Sequence, residues 1–491
     1  MTTMRLKILS GCIALSFLLA SCSKWIDVQP SDRLAEDKLF STREGYLSAL
    51  NGVYAELTNP SIYGENMTVG AVDVLAQYYY MNLSTHRLYD FTTFAYTSDR
   101  ARQAFDNMWK KSYELIVNCN VIIERCGESS NPLLPAPYFG LVKGEALALR
   151  AMLHLDMLRL FGPIFSDADK TKPCIPYNTS SRPQSTALLG SEEIMQHVTA
   201  DLKEAIALLK DADPIITAGV RHSSNPNGTN DLYYRQYRLN YYAAKALLAR
   251  AYLWMQDKEK ALLEAQEILT AVLDPGKPIF KMGVANPAAI PADFDHMIMS
   301  EVMFSLYKIN RQNIYTSFFS PDVAKEARLS FNNNDDNQSR KNGLYDDQND
   351  YRLKAWMTLT NTNGSFLTHV KFGVTTNGPG PFMMPLIRLG EVVLIAAECS
   401  NTIGEGTQYL NMLRTGRNCV SLAPTTTAQL KDYIAREFRK EVFGEGQMFF
   451  YYKRNAMTTV PNHASLAGTK QMILANYTVP LPISEVAVRG N

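Results

Sequence analysis

Apolar residues recur at helical spacing through most of the chain and lose that period in two long stretches. Residues 108–126, MWKKSYELIVNCNVIIERC, set Trp109, Tyr113, Ile116 and Asn120 on one stripe that Leu115, Ile122 and Ile123 widen. The pattern predicts a helix with one buried face, stopped at Gly127. Residues 143–163, KGEALALRAMLHLDMLRLFGP, are apolar nearly all round and close on Gly162-Pro163, which predicts a buried central helix. Ser191, with Glu192 and Glu193 behind it, reads as an N-cap with acidic residues at the positive end of the helix dipole. Ile194, Val198, Leu202, Ala205 and Leu209 then repeat as an apolar face as far as Asp213-Pro214.

Residues 239–269 hold two helical runs joined around 256–258. Small residues Ala246, Ala249, Ala261 and Ala265, with Tyr252 between them, let two antiparallel helices approach closely, as in a tetratricopeptide hairpin. A looser copy follows, with 390–400 pairing across a Gly-containing turn with 406–418; together they favour a solenoid-like α-helical half. Residues 59–100 and 270–385 carry Pro, Gly, Asn, Asp and many aromatics without a sustained period, and read as long structured loops with short strands. The polar runs 332–340 and 346–350 read as exposed loop tips.

The N-terminus follows a different pattern. Residues 8–20 are mostly Leu, Ile, Ala and Phe, preceded by Arg5 and Lys7, too short to span a bilayer and shaped like a signal peptide. Leu19-Ala20-Ser21-Cys22 resembles the bacterial lipobox, so cleavage is expected after residue 21, with lipid on Cys22. Several acyl chains, at about 0.8 kcal/mol per buried CH₂, make detachment negligible. Without Arg5 and Lys7 the 49 basic residues become 47 against 48 acidic, which leaves no phosphate-neutralising surface and argues against nucleic acid as a partner. Of seven cysteines, Cys12 leaves with the signal and Cys22 takes lipid. The remaining five, with no C-x-x-C spacing, read as buried free thiols; Cys119 and Cys126 on one continuous helix would lie about 10 Å apart, too far to bridge.

Several segments together resemble the SusD/RagB family, the surface lipoproteins that capture nutrients for outer-membrane transporters in Bacteroidetes. CSKWIDVQPSDRL and LFSTREGYLSALNGVYAEL resemble its opening, EALALRAMLHLDMLRLFGP its central arginine-containing helix, and AKALLARAYLW and VVLIAAECS its tetratricopeptide helices. YLNMLRTGR resembles its short arginine-bearing helix, EFRKEVFGEGQMFFYYKR its late E-R-x-x-E-x-x-x-E-G-x-R element, and YTVPLPISEV its terminal segment. Gln447 stands where the late element has Arg, and Tyr451-Tyr452-Lys453-Arg454 replaces its D-L-x-R. Glu437, Arg439, Glu441 and Glu445 read as internal ion-pair groups, with Arg150 and Arg414 as partners. The resemblance implies a mainly α, SusD-like fold in which tetratricopeptide-type hairpins form a frame and irregular loops with short strands carry the ligand site. It implies a single domain over 22–491, with an N-terminal part to about 220 and a C-terminal part from about 235. It further implies a lipid anchor in the outer membrane, exposure at the cell surface and a SusC-like TonB-dependent transporter as partner.

Catalytic signatures are missing from the sequence: it has no G-x-S-x-G, H-E-x-x-H or Walker-type loop, and no two of the seven histidines stand at helical ligand spacing. Residues 346–350 lack the glycine and terminal glutamate of an EF-hand, so neither a metal nor another cofactor is expected. A glycosidase needs two carboxylates about 5 to 10 Å apart across a cleft, and nothing in the sequence marks such a pair. A binding protein for an oligosaccharide, or for a peptide as in some members of the resembled family, is the expected function; a glycan-cleaving enzyme and a periplasmic scaffold are the competing readings. Sugar faces pack on aromatic rings and sugar hydroxyls need polar partners once buried. Two stretches offer both. In 76–100 the candidates are Tyr78, Tyr79, Tyr80, His86, Tyr96, Asp99 and Arg100; from 310 to 351 they are Tyr315, Phe318 and Tyr345. Three consecutive tyrosines on a regular strand or helix cannot all face inward, so at least one is expected at a surface or cleft.

Overall fold

The computed structural model describes residues 31–489 apart from 166–167, 183, 222, 284–294, 332–337, 363 and 374–379. Signal, lipobox and Cys22 lie outside the described residues. The chain divides into a first unit ending at Tyr46 and a second from Leu47 onward. The first holds the helix Ser31–Leu39 and the start of the helix Arg43–Glu56, with Phe40 and Tyr46 edge to face at 4.8 Å.

In the second unit long helices succeed one another, each packed on its sequence neighbours. The central helix Tyr138–Phe161 lies between Asp99–Cys126 and Ser191–Ala212. Ser191–Ala212 packs on Tyr241–Trp254, which pairs with Lys258–Val272; that helix packs on Leu389–Cys399, which pairs with Ile403–Gly416, and Thr427–Glu441 closes the series. Nearest-neighbour packing of hairpins is the solenoid logic expected from the two hairpin patterns. The approach of the central helix to its neighbour depends on Gly140, where a Cβ would come 2.7 Å from the Ala212 methyl.

The central helix is buried at nearly every residue, polar ones included, and each of these is satisfied. Arg150 holds Asp201 by two bonds of 2.7 Å and Asn120 by one of 2.9 Å, so its partner is Asp201 rather than a glutamate of the late element. Asp156 takes the Tyr63 hydroxyl at 2.6 Å and pairs with Arg159, which donates to Gln447 at 2.9 Å. Gln447, in the place of the family's Arg, thus serves as an acceptor. Lys453 Nζ donates to the carbonyls of Arg159 at 2.8 Å and Gly162 at 2.6 Å, closing the C-terminal end of the central helix.

Two details differ from the sequence pattern. Ser191 is the first helical residue and fully buried, with Gly190 as N-cap; a Cβ on Gly190 would meet the Thr171 carbonyl at 2.7 Å, so chain crowding decides the boundary. The second helix of the later hairpin begins at Ile403, where the Thr402 side chain accepts from the Glu405 N–H at 3.2 Å.

Between the hairpins, Val302–Tyr307 pairs antiparallel with Met383–Arg388, and Trp356–Asn361 with Gly364–His369. The second strand of the first pair runs straight into the helix Leu389–Cys399, tying the irregular region to the frame. Within 59–100 the described elements are short helices, Ala71–Leu75 and Tyr89–Thr92, not strands.

Residues 346–350 are an exposed tip only in part: Asp346, Gln348 and Asn349 are exposed, while Asp347 and Asp350 turn inward. Asp350 is buried against Arg352 at 2.6 Å, and Asp347 accepts from the Val420 N–H at 2.7 Å. They join a buried ionic network built on Glu437, Glu441 and Glu445, four residues apart. Glu437 meets Arg414 at 2.5 Å and Arg352 at 2.6 Å; Glu441 meets Arg352 and Arg417 at 2.6 Å and Arg388 at 3.0 Å; Glu445 meets Lys371 at 2.6 Å and Arg388 at 2.7 Å. Three arginines hold the Glu441 carboxyl well below the usual carboxylate range despite its burial. The five described cysteines are buried and unbridged. No described helix is long and apolar enough to cross a membrane.

Candidate functional site

The fold brings the two aromatic-rich stretches side by side. The Tyr80 N–H donates to the Ser330 carbonyl and the Arg87 N–H to the Glu326 carbonyl, both at 2.8 Å. The Arg87 guanidinium lies 4.1 Å from the Phe318 ring centroid and reaches the Ser317 carbonyl at 3.4 Å.

Most of the expected ligand-facing rings turn inward. Gln77 takes a left-handed backbone conformation, φ 60°, and the irregular segment after it buries Tyr78 and Tyr79 together. Tyr78 donates to the Arg439 carbonyl at 2.7 Å, and both rings pack on Phe443 with centroids 5.3 and 5.7 Å away. Phe318 is fully buried, and Tyr345 is buried with its hydroxyl accepting from Trp356 at 3.1 Å. These four cannot offer a ring face to a ligand in this structure. A wide aromatic layer around Phe443 seals the loop region onto the helical frame.

Tyr80, Tyr96 and Tyr315 are half-buried, while Asp99 and Arg100 are exposed. Tyr96 donates to the Asn476 carbonyl, Asp99 pairs with Arg102, and Arg100 donates to the His86 carbonyl at 3.0 Å, so these three serve local structure. Tyr80 and His86 come together in a small groove with Asn82, Lys325, Arg328 and Ser330. His86 is buried; its Nδ1 accepts from the Leu88 N–H at 3.1 Å, which places the proton on Nε2. Burial pushes the His86 ring down to about 4, so it is neutral at pH 7.

Beyond Ser317 lies an open cleft of about 370 Å³, walled by Glu56, Asn59, Glu65, Lys308, Asn310 and Asn313 among others. Its walls are amides, carboxylates and one ammonium, the groups that satisfy hydroxyls. Burial raises the Glu65 carboxyl, opposed by Arg87 and Lys308, and burial lowers the Lys308 ammonium, which donates to the Thr58 carbonyl at 3.0 Å. Next to Lys308, Tyr307 is 51% exposed and packs edge to face on Tyr237 at 5.3 Å and tilted on Phe382 at 4.9 Å; Ile309 is 69% exposed. The sequence reading missed this patch. Its signal was the end of the strand, where an all-buried run gives way at Tyr307-Lys308-Ile309 to alternation. Among the described residues no group of three or more His, Cys, Asp or Glu is placed to hold a metal ion.

Two family models match the chain. One described as "Starch-binding associating with outer membrane" matches residues 24–218, and one described as "SusD family" matches 293–480. No curated protein gives a significant match. Among solved structures, a SusD superfamily protein from Bacteroides thetaiotaomicron is 22% identical with TM-score 0.66, covering 91% of this chain and 98% of its own. A putative sugar binding protein from Bacteroides vulgatus is 20% identical with TM-score 0.70, covering 91% and 96%. A SusD-like carbohydrate binding protein from the same species is 20% identical with TM-score 0.64, covering 85% and 84%. At these identities the likeness is one of fold.

Proposed function

The chain belongs to the SusD/RagB family, and from that premise we propose that it is a lipoprotein anchored through Cys22 in the outer membrane, exposed at the cell surface, that binds an oligosaccharide and passes it to a SusC-like TonB-dependent transporter. It acts by binding and not by catalysis. The observation that carries this reading is the open cleft of about 370 Å³ with hydrogen-bonding walls, with exposed Tyr307 next in the chain to its wall residue Lys308 and Arg87 reaching its wall residue Ser317 from beside the groove of Tyr80 and His86. Aromatic faces for sugar C–H surfaces and amides for hydroxyls lie on loops held by a rigid helical frame. Two structural neighbours, a putative sugar binding protein and a SusD-like carbohydrate binding protein, point the same way.

The test is a binding screen of the full chain in detergent against neutral and acidic oligosaccharides and peptides, followed by an Asn313→Ala, Tyr307→Ala double variant. Both positions are exposed or at the cleft wall, so the melting temperature should hold while affinity falls at least about tenfold, or about 1.4 kcal/mol. Unchanged affinity for a confirmed ligand would remove this cleft from the function. Binding confined to peptides would replace the ligand class, and shortened glycan products after incubation would replace binding with catalysis. Loss of surface labelling on intact cells for Cys22→Ala is expected of the anchor.

A further inference from the structure

A second cavity, of about 200 Å³, lies beside the 77–81 segment, walled by Phe331, Leu344, Pro461 and Leu466 and by two arginines, Arg340 and Arg439. Its rim at Ser339, Gly343, Ala467 and Gly468 is exposed. Among the described residues the two guanidinium groups are held only by neutral acceptors. Arg340 donates to the carbonyls of Gln77 at 3.2 Å, Tyr78 at 2.9 Å and Ser465 at 2.7 Å, and also to that of Asn462. Arg439 donates to the Tyr452 hydroxyl at 3.2 Å and the Gln77 carbonyl at 3.3 Å, and lies 5.0 Å from the Tyr78 ring centroid. Its buried Nε–H has no partner among the described residues.

Among the described residues neither arginine is in an ion pair; Asp335 and Asp336, the carboxylates nearest to Arg340 in sequence, lie outside them. The contrast with the neighbouring network is sharp, since Arg352, Arg388, Arg414 and Arg417 all meet glutamates within 3.0 Å. Two uncompensated like charges at one partly buried cavity are costly unless an anion joins them. Burial and the neighbouring Arg439 push the Arg340 guanidinium down to about 9, the direction that a missing counter-charge produces.

We propose that this cavity is an anion subsite that receives the carboxylate or sulfate group of an acidic sugar against Arg340 and Arg439, with Phe331, Pro461 and Leu466 beside the ring that carries it. It rests on the capture reading only for the molecule that presents the anion. The planar guanidinium fork suits either oxyanion, and Arg439 retains unused donors for it.

The test titrates the full chain in detergent with sodium sulfate and, separately, sodium glucuronate, at constant ionic strength balanced with chloride, following thermal unfolding. Saturable stabilisation by at least one of the two is expected, and it should vanish in Arg439→Gln and in Ala467→Glu, which places a carboxylate at the exposed rim and leaves the arginines' hydrogen bonds intact. The second variant keeps the test decisive if the first is unstable. Oligogalacturonate should bind at least tenfold more tightly than its methyl ester. No saturable effect beyond chloride, or an effect retained in Ala467→Glu, overturns the subsite. Neutral oligosaccharides binding as tightly as acidic ones overturns the subsite and leaves the capture reading standing. Oxyanion binding with no oligosaccharide bound overturns the acidic-sugar assignment together with that reading.

Discussion

His154, in the middle of the central helix, donates from Nδ1 to the Arg150 carbonyl at 2.9 Å and accepts at Nε2 from the Asn178 N–H at 3.0 Å. Both ring nitrogens are satisfied only in the neutral form, and burial pushes the ring down to about 3. A histidine with a folded pKa below its unfolded value contributes full stability above about 6.5 and loses it as pH falls toward the folded value, at up to about 1.4 kcal/mol per pH unit. The melting temperature should therefore drop between pH 6.5 and 4, and less steeply in His154→Gln. Buried His86, also down to about 4, acts in the same direction. At this scale the sequence reading offered Tyr78, Tyr79, Phe318 and Tyr345 as ligand-facing candidates, and the structure buries them. Residue type and local polarity do not tell which side of a loop meets the frame; for Tyr78 and Tyr79 that depends on Phe443, hundreds of residues away in sequence.

The helices were legible as elements because their apolar spacing is local: Asp99–Cys126 ends at Gly127, the central helix at Gly162, and the hairpins turn near 256–258 and 400–402. The turn at residues 444–446 carries two glycines in the sequence but no periodicity that marks its shape. In the structure Gly444 and Gly446 take φ 77° and 69°, and their N–H groups clasp the Asp73 carboxyl at 2.7 and 3.0 Å. A Cβ on Gly446 would lie 1.9 Å from the Met67 carbonyl. Gly446→Ala combines left-handed strain with a backbone clash and should cost at least about 2 kcal/mol, read as a lower denaturation midpoint. An unchanged midpoint would show that the turn relaxes freely.

At the scale of the whole molecule, the buried glutamates of the late element join elements far apart in sequence. Glu441 alone contacts Arg352 from the irregular region, Arg388 from the strand entering the frame, and Arg417 from the end of a hairpin. Glu441→Gln leaves buried guanidinium charge without its carboxylate and should destabilise the protein by about 3 to 5 kcal/mol in chemical denaturation, with no loss of helical signal below the transition. The sequence by itself determined the helical frame, the order of its hairpins, the internal role of Glu437, Glu441 and Glu445, and the resemblance that family matching upholds, because each rests on short-range periodicity or on segments kept in order. Only the tertiary structure decided that Arg150 pairs with Asp201, that Asp347 and Asp350 are buried, and which polar and aromatic groups stay open to solvent around the cleft and the arginine cavity. Burial and charge compensation are sums over groups brought together by folding, and no local pattern contains them.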